Sequence, residues 1–356
     1  MSTKSVFHSL TVADVRRETA DSVSLAFAVP AALQPTFAFS PGQYLTLRTT
    51  IAGQEVRRSY SICSGLTDGE LRVAIKKVPG GQFSTFATDD LKVGDTLDVM
   101  PPDGRFTARS PFARHLALFA AGSGITPVLS IIRSVLTANT TSQVTLVYGN
   151  RTTGSIMFRE SLEELKDRHL GRLAVFHVLS RESQDIDLLN GHIDAAKVAL
   201  LARTVARPGD TDAYYLCGPY GMVDAGRTAL LAAGVEPARI RSELFSTDGV
   251  VPTRPKPVAV VAATGARVDC VLDGVTYQIR VRDDEHVVDA AHAQGIELPY
   301  SCKGGMCCTC RCKVTKGKVV MDLNYSLEPW ELAADFVLAC QARPLSPEVK
   351  LDFDAV

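Results

Sequence analysis

The 356-residue sequence has almost no surplus charge, with 38 Lys and Arg against 39 Asp and Glu. A net of −1 generates no overall field for nucleic acid or an anionic membrane, and no basic stripe interleaved with aromatics makes up for it. Long apolar runs are also missing: none approaches the about 18 residues of a membrane span. Met1 to Leu10 lacks the charged-then-apolar order of a secretory signal, so the expected compartment is the cytoplasm. No low-complexity tract is present, which sets aside disordered and collagen-like classes. The seven histidines fall into no triad or metal box, so acid–base and nucleophilic chemistry have no obvious carrier.

What is plentiful is local and uneven. Of nine cysteines, five lie between Cys302 and Cys312, too crowded for a disulfide framework. Clustered thiols in a reducing compartment point to metal. Length and rhythm predict three domains and a linker: residues 1–108, 109–248, 249–262 and 263–356. The first shows β-rich runs at Val23–Val29, Tyr44–Thr50, Val56–Cys63, Leu71–Val78 and Thr96–Met100, the pattern of a small antiparallel barrel. From His115 the rhythm becomes strand, glycine turn and helix, predicting a parallel α/β sheet with strands at Leu116–Ala121, Val144–Tyr148, Ala174–Leu179 and Ala213–Cys217. The stretch Val251–Pro257, rich in proline, cannot continue a helix or central strand and reads as a semi-rigid tether. Beyond it, Asp273-Gly274 between two apolar runs signals a hairpin, and a short helix over Val287–Gln294 is followed by Gly295, giving a compact α+β unit. Residues 263–356 carry ten Lys and Arg against fourteen Asp and Glu, so this last domain is mildly acidic.

The strongest motif is Cys302-x4-Cys307-x2-Cys310, followed after 29 residues by Cys340. This is the plant-type 2Fe–2S spacing: three thiolates come from one loop wrapped around the irons, and the fourth arrives from elsewhere. Gly304 and Gly305 are expected to take positive φ and to bring backbone N–H groups toward the sulfurs. The rivals are a zinc site, for which only Cys307 and Cys310 show the usual paired spacing, and metal-free buried thiols. Cys308 and Cys312 do not fit the cluster spacing, and Cys63 and Cys270 read as core thiols.

Two further constellations sit in the other domains. Arg58-Ser59-Tyr60-Ser61 ends a strand and Gly80-Gly81-Gln82-Phe83-Ser84 opens a helix. Gly122-Ser123-Gly124-Ile125-Thr126-Pro127 lies between a strand and a helix, where two glycines admit a diphosphate to the backbone. Cys217-Gly218-Pro219 closes a later strand.

The first pair resembles the RxYS and GxxS signatures of the ferredoxin–NADP⁺ reductase family, and Cys217-Gly218-Pro219 resembles its CGP motif. The domain order is similar to the reductase components of multicomponent oxygenases. The Tyr148-Gly149-Asn150-Arg151, Cys302–Cys307 and Asn324–Pro329 segments resemble the reductases of bacterial phenylacetyl-CoA epoxidases. The resemblance implies an antiparallel flavin-binding β-barrel, a parallel α/β nicotinamide-binding domain and a C-terminal β-grasp ferredoxin domain. It implies that Arg58 pairs with a flavin phosphate, Tyr60 lies along the ring, Ser61 meets its polar edge, and Gly80, Gly81, Gln82 and Ser84 offer donors to phosphate. Gly122, Gly124, Thr126 and Pro127 would take the nicotinamide diphosphate, with Gly218 and Pro219 beside them. Cys217 would sit near the reacting carbon of the nicotinamide and Phe245 would shield the flavin. Ser180 and Arg181, with Arg151 as a second cation, resemble a grip on the 2′-phosphate of NADPH. FAD is expected, with FMN the alternative that phthalate dioxygenase reductase illustrates. Electrons from NADPH would reach a di-iron oxygenase through flavin and cluster, or alternatively a ring-hydroxylating dioxygenase or another multicomponent oxygenase, with neither nucleic acid nor membrane involved.

Overall fold

In the computed structural model, residues 6–108, 113–246 and 265–355 are described, so the expected tether at 249–262 lies outside the described residues. The chain divides into two compact units, one holding the barrel together with the parallel sheet and the other holding the C-terminal sheet.

The barrel has six strands, β1 (His8–Thr19), β2 (Ser22–Ala28), β3 (Tyr44–Ile51), β4 (Gln54–Ser61), β5 (Leu71–Lys76) and β6 (Thr96–Val99), in the order β4-β3-β6-β1-β2-β5. Its pairings β1–β2, β2–β5 and β3–β6 are antiparallel. Five of these strands match the sequence reading; β1 does not appear in it. Only Leu10 and Val12 on β1 are fully buried, and Arg16, Arg17 and Glu18 interrupt the apolar alternation, so its pairing with β2 is a tertiary effect. The core of Leu25, Leu45, Leu47, Ile62, Ile75 and Phe83 is shut to solvent. Each such side chain contributes about 1.5–3 kcal/mol relative to exposure. Helix α1 (Gln82–Asp89) buries Phe83 and Ala87 against this core.

The second sheet contains β7 (His115–Ala121), β8 (Gln143–Asn150), β9 (Leu173–Leu179), β10 (Ala213–Pro219) and β11 (Ile240–Ser246), all parallel, in the order β11-β10-β7-β8-β9. The chain builds β7 to β9 outward in one direction, then returns to the other side of β7 to add β10 and β11. The strand order therefore reverses between β7 and β10, and ligands of open α/β sheets bind at the carboxyl ends of strands flanking such a reversal. Among the helices that accompany this sheet, α2 (Ile125–Ala138), α3 (Arg159–Arg168), α4 (Ala195–Thr204) and α5 (Tyr220–Ala232), α2 has eleven of its fourteen residues buried. It shares a core with β7 and β8 and with Cys63, Ala74 and Phe106 of the barrel, and its Ser130 hydroxyl donates to the Ser64 carbonyl at 2.7 Å. That seam is what holds barrel and parallel sheet in one unit.

The C-terminal unit is a mixed sheet of β12 (Ala266–Leu272), β13 (Val275–Val281), β14 (Arg311–Lys316), β16 (Phe336–Leu338) and β18 (Glu348–Asp352), in the order β13-β12-β18-β14-β16. A two-stranded ribbon of β15 (Val319–Met321) and β17 (Ala342–Pro344) accompanies it, with helix α6 (Val287–Ala293) and the single turn α7 (Pro329–Ala333). Val287, Val288, Ala290 and Ala291 of α6 are buried against Val268, Ile279 and Leu351 of the sheet, the β-grasp arrangement. The hairpin appears where expected: Asp273 and Gly274 both take positive φ, 50° and 74°, as a two-residue turn between right-twisted strands requires. No helix among the described residues is long and apolar enough to cross a membrane.

Candidate functional site

The loop between α6 and β14 carries the three clustered cysteines, and the end of β16 delivers the fourth. The backbone stitches the two together, since Ala339 N–H donates to the Cys310 carbonyl at 3.0 Å and the Gln341 amide donates to the Lys303 carbonyl at 2.8 Å. The thiols act on one another in two pairs, Cys302 with Cys307 and Cys310 with Cys340. In each pair one sulfur is favoured as thiolate. Cys302 is held below the usual thiol range, first by the Cys307 thiol and then by the N–H groups of Gly304, Met306 and Cys307. Cys340 is lowered by Cys310, helped by Gln341 and the Gly305 N–H. Cys307 and Cys310 are correspondingly raised, because they hold the shared protons and are buried.

One detail of the sequence reading needs correction. Gly305 has φ of +75°, as expected, but Gly304 is not in the left-handed region; Lys303 and Cys308 are, at 49° and 58°. The loop turns on both sides of Gly304 so that its N–H reaches the Cys302 sulfur at 3.3 Å. A side chain at Gly305 would press on the Leu323 carbonyl, 3.0 Å from an added Cβ.

Among the described residues, no three His, Cys, Asp or Glu side chains gather as they would around one metal ion. Two corners of two thiols each are what a dinuclear centre needs, because bridging sulfides complete each iron's tetrahedron. Donor chemistry, pairing and convergent N–H groups all fit that group. Cys308 donates to the Ser326 hydroxyl at 2.9 Å instead, and Cys312 is fully buried in the sheet core.

In the other unit, the Tyr60 and Phe83 rings lie 5.4 Å apart, which brings the Arg58–Ser61 strand end beside the Gly80–Ser84 turn. Arg58 is exposed, and Gly80 and Gln82 lie open at the start of α1, where the first-turn N–H groups point outward. The Ser84 hydroxyl is used within its own turn, accepting from Val78 N at 3.1 Å and donating to the Gly81 carbonyl at 3.2 Å. It shapes the turn together with the Gly81 N–H, which donates to the Val78 carbonyl at 2.9 Å.

At the strand-order reversal, Gly122–Gly124 leads directly into α2 with Thr126 and Pro127 in its first turn, and the Thr126 hydroxyl donates to the Ser123 carbonyl at 3.0 Å. A Cβ on Gly124 would lie 2.2 Å from the Cys217 carbonyl oxygen, so the glycine turn rests on the Cys217-Gly218-Pro219 backbone. The Tyr148 hydroxyl donates to the Gly122 carbonyl at 3.0 Å from the neighbouring strand.

Cys217 is fully buried and pairs in register with Glu243 on β11. The Ser61 hydroxyl faces the Glu243 carboxyl at 3.4 Å, so barrel and parallel sheet place Ser61, Cys217 and Glu243 at one point, with Phe245 packed nearby against the shared core. Glu243 is the residue that sequence reasoning missed. Its one signal was an acid directly before Leu244-Phe245 in a short strand. Burial pushes its carboxyl up to about 8, partly offset by Ser61. Burial raises Cys217 further, as does the charge of Glu243. Because the folded-state value of Glu243 lies above the unfolded one, its contribution to stability is complete in acid and fades as pH rises through about 8. Glu243→Gln is therefore expected to flatten the fall in thermal stability between about pH 5 and 8. An unchanged slope in melting scans would assign that fall to another group.

Ser180 N–H donates to the Asn150 carbonyl at 3.0 Å and Arg181 N–H to the Arg151 carbonyl at 2.8 Å, which sets two exposed arginines side by side at the ends of β8 and β9. Neighbouring Glu182 is the one acid there that the sequence reading passed over. Both of its oxygens are engaged by Thr153, at 2.7 and 2.6 Å.

A barrel with a phosphate-ready helix start, a parallel sheet with a glycine turn at its reversal and a paired-thiol loop define a class: flavin- and iron–sulfur-dependent reductases driven by a nicotinamide. Comparison with known proteins agrees segment by segment. Residues 9–108 match the oxidoreductase FAD-binding domain, 118–228 the oxidoreductase NAD-binding domain, and 270–345 the 2Fe-2S iron-sulfur cluster binding domain. The chain belongs to the family of oxygenase reductase components: it is 48% identical to a subunit of 1,2-phenylacetyl-CoA epoxidase from Escherichia coli over 98% of both chains. It is also 38% identical to the ferredoxin reductase component of 3-ketosteroid-9-alpha-monooxygenase from Rhodococcus rhodochrous, over 97% of this chain and 96% of that one. Among solved structures, phthalate dioxygenase reductase shares the fold with a TM-score of 0.61 at 21% identity, over 98% of both chains. As in that family, electrons pass from NAD(P)H through FAD and a 2Fe–2S centre to an oxygenase component.

Proposed function

We propose that the chain takes electrons from NADPH and delivers them to a carboxylate-bridged di-iron oxygenase in the cytoplasm, the 1,2-phenylacetyl-CoA epoxidase. The observation that carries this reading is the 48% identity to one of that enzyme's own subunits along 98% of both chains. In this reading, residues 1–108 hold FAD, 109–248 the nicotinamide and 263–356 the cluster, with 249–262 as the tether.

When bound, FAD and the cluster supply the conversion of a two-electron hydride donor into single electrons. The chain's own residues bind and orient. Arg58 and the N–H groups at Gly80 and Gln82 would neutralise flavin phosphate, while Gly81, whose N–H donates to the Val78 carbonyl at 2.9 Å, and Ser84 keep that turn in shape. Tyr60 would lie along the ring, Ser61 would meet its polar edge, and Phe245 would shield it. Gly122, Gly124, Thr126 and Pro127 admit the diphosphate at the start of α2. Cys217, Gly218 and Pro219 would form the wall on which the nicotinamide ring rests, with Glu243, whose carboxyl burial pushes up to about 8, in register beside Cys217. Cys302, Cys307, Cys310 and Cys340 hold the irons.

Ser180, Arg181 and Arg151 grip the 2′-phosphate. Arg181→Ala is expected to raise KM for NADPH by about tenfold or more while leaving NADH nearly unaffected, because the lost contact is a charge-assisted pair with phosphate. Equal changes for both coenzymes would remove the arginine from this role.

The 38% identity to the 3-ketosteroid-9-alpha-monooxygenase component supports a second reading, in which the acceptor is another multicomponent oxygenase. Reconstitution separates the two. With NADPH and O₂, the chain should support phenylacetyl-CoA epoxidation by the purified epoxidase component and leave a ring-hydroxylating dioxygenase or the steroid monooxygenase idle; the reverse pattern selects the second reading.

A further inference from the structure

The chain's single tryptophan, Trp330, is 58% exposed on α7, and Leu332 beside it is 43% exposed. Single exposed apolar side chains are ordinary on a protein surface, but tryptophan is among the residues most enriched where binding energy concentrates at protein contacts, and here a second exposed apolar residue lies beside it. The turn that bears it is built to hold still. Pro329 sits at its first position, and Glu328 and Glu331 form a reciprocal capping box. Glu331 is completely buried and ion-paired at 2.8 Å with Arg311, whose guanidinium lies 3.5 Å from the centre of the Phe336 ring. Arg311 directly follows Cys310, so the anchor of Trp330 is fastened to the cluster loop itself. The preceding segment is tied in as well: Tyr325 N–H donates to the Gly305 carbonyl at 3.0 Å and the Ser326 hydroxyl to the same carbonyl at 3.2 Å.

Acids outnumber cations here, although Lys313 lies 5.6 Å from the centre of the Phe336 ring. From Val319 to Ala342 the chain has Asp322, Glu328, Glu331 and Asp335 and no Lys or Arg. Asp322 and Glu331 are neutralised by Arg343 and Arg311, while Asp335 is exposed with no ion-pair partner among the described residues. An apolar knob followed by the open acid Asp335, on a rigid mount beside the cluster, fits a partner with an apolar notch that carries a cation at its rim.

We propose that Trp330 is the anchor by which the C-terminal unit docks the electron-accepting oxygenase component, through an apolar notch on that component with a cation at its rim. The proposal rests on the acceptor reading above.

The test is stopped-flow mixing of the anaerobically reduced full-length holoenzyme with the purified oxygenase component of 1,2-phenylacetyl-CoA epoxidase, followed over a range of component concentrations. Trp330→Ala is expected to lower the bimolecular rate constant by about tenfold or more, since hot-spot truncation weakens encounter and retention. The limiting rate at saturation, NADPH-driven ferricyanide reduction and the electron paramagnetic signal of the cluster should stay as in the wild type. Trp330→Phe should recover most of the loss, and added salt should slow the wild type. A bimolecular constant unchanged in Trp330→Ala overturns the proposal. So does slower reduction of the cluster from within the chain, because Trp330 would then be serving its own flavin half. If the wild type fails to reduce the epoxidase component at all, the acceptor reading falls separately. Trp330 is then judged on cytochrome c, a basic protein, where the same bimolecular loss is expected and its absence refutes the anchor.

Discussion

Replacing Cys340 by Ser is expected to abolish electron delivery to a protein acceptor while leaving NADPH-driven reduction of ferricyanide close to the wild-type rate. Cys340 is 3% exposed and forms the second thiol of the Cys310 corner, where Gln341 and the Gly305 N–H favour its charged form. A serine hydroxyl there is far less acidic and a poor soft-metal donor, so one iron loses half of its protein ligands. Even outer-shell changes at metal sites cost about 10–100-fold, so loss of the ligand should cost at least about a hundredfold in acceptor reduction. Ferricyanide accepts electrons directly from the flavin half, whose residues are untouched. The two assays on one preparation decide the matter: equal losses in both would mean that Cys340 supports the fold of the whole chain and not one branch of the electron path.

Gly124→Ala is expected to act at the opposite end of the path. The backbone at Gly124 is ordinary, with φ of −60°, so the cost is steric and not conformational. The new methyl would sit 2.2 Å from the Cys217 oxygen, 2.6 Å from its carbonyl carbon and 3.0 Å from Gly218 N, all of them backbone atoms of the β10 end. No rotamer change relieves that contact, so the glycine turn and the Cys217-Gly218-Pro219 wall must part. Overpacking of this kind costs about 1–3 kcal/mol. A displacement near 1 Å between groups that orient reactants costs about a hundredfold in rate, and that is the loss expected in flavin reduction by NADPH. Photochemical or dithionite reduction of the flavin should remain normal. A Gly124→Ala protein reduced by NADPH at the wild-type rate would show that the close approach has no part in holding nicotinamide.

The cluster loop was the most legible part of the sequence, because ligation fixes thiol spacing regardless of fold, and Cys302, Cys307, Cys310 and Cys340 come together as that spacing requires. The Asp273-Gly274 hairpin and the α6 end at Gly295 were legible for a similar reason: few residues tolerate those backbone angles. Features created by distant pairing were not. Strand β1 looks too polar to be a strand until β2 covers it, and five later strands of the C-terminal unit have only three to six residues each. Glu243 is an ordinary acid in the sequence and becomes a half-buried one only when β11 pairs beside β10 and Ser61 approaches from the barrel. The Gly80–Ser84 turn was located correctly, but which of its groups is free for a ligand depended on the hydroxyl of Ser84 turning inward. Gly304 was expected to bend the loop, whereas the strain falls on its neighbours Lys303 and Gly305 and leaves Gly304 to present its N–H.

The central claim is that the four paired thiols hold a two-iron, two-sulfide centre charged by the flavin half. The most direct measurement is the iron, acid-labile sulfide and flavin content of anaerobically purified protein. Two irons, two sulfides and one FAD per chain are predicted. Zinc in place of iron, or iron without sulfide, would contradict it.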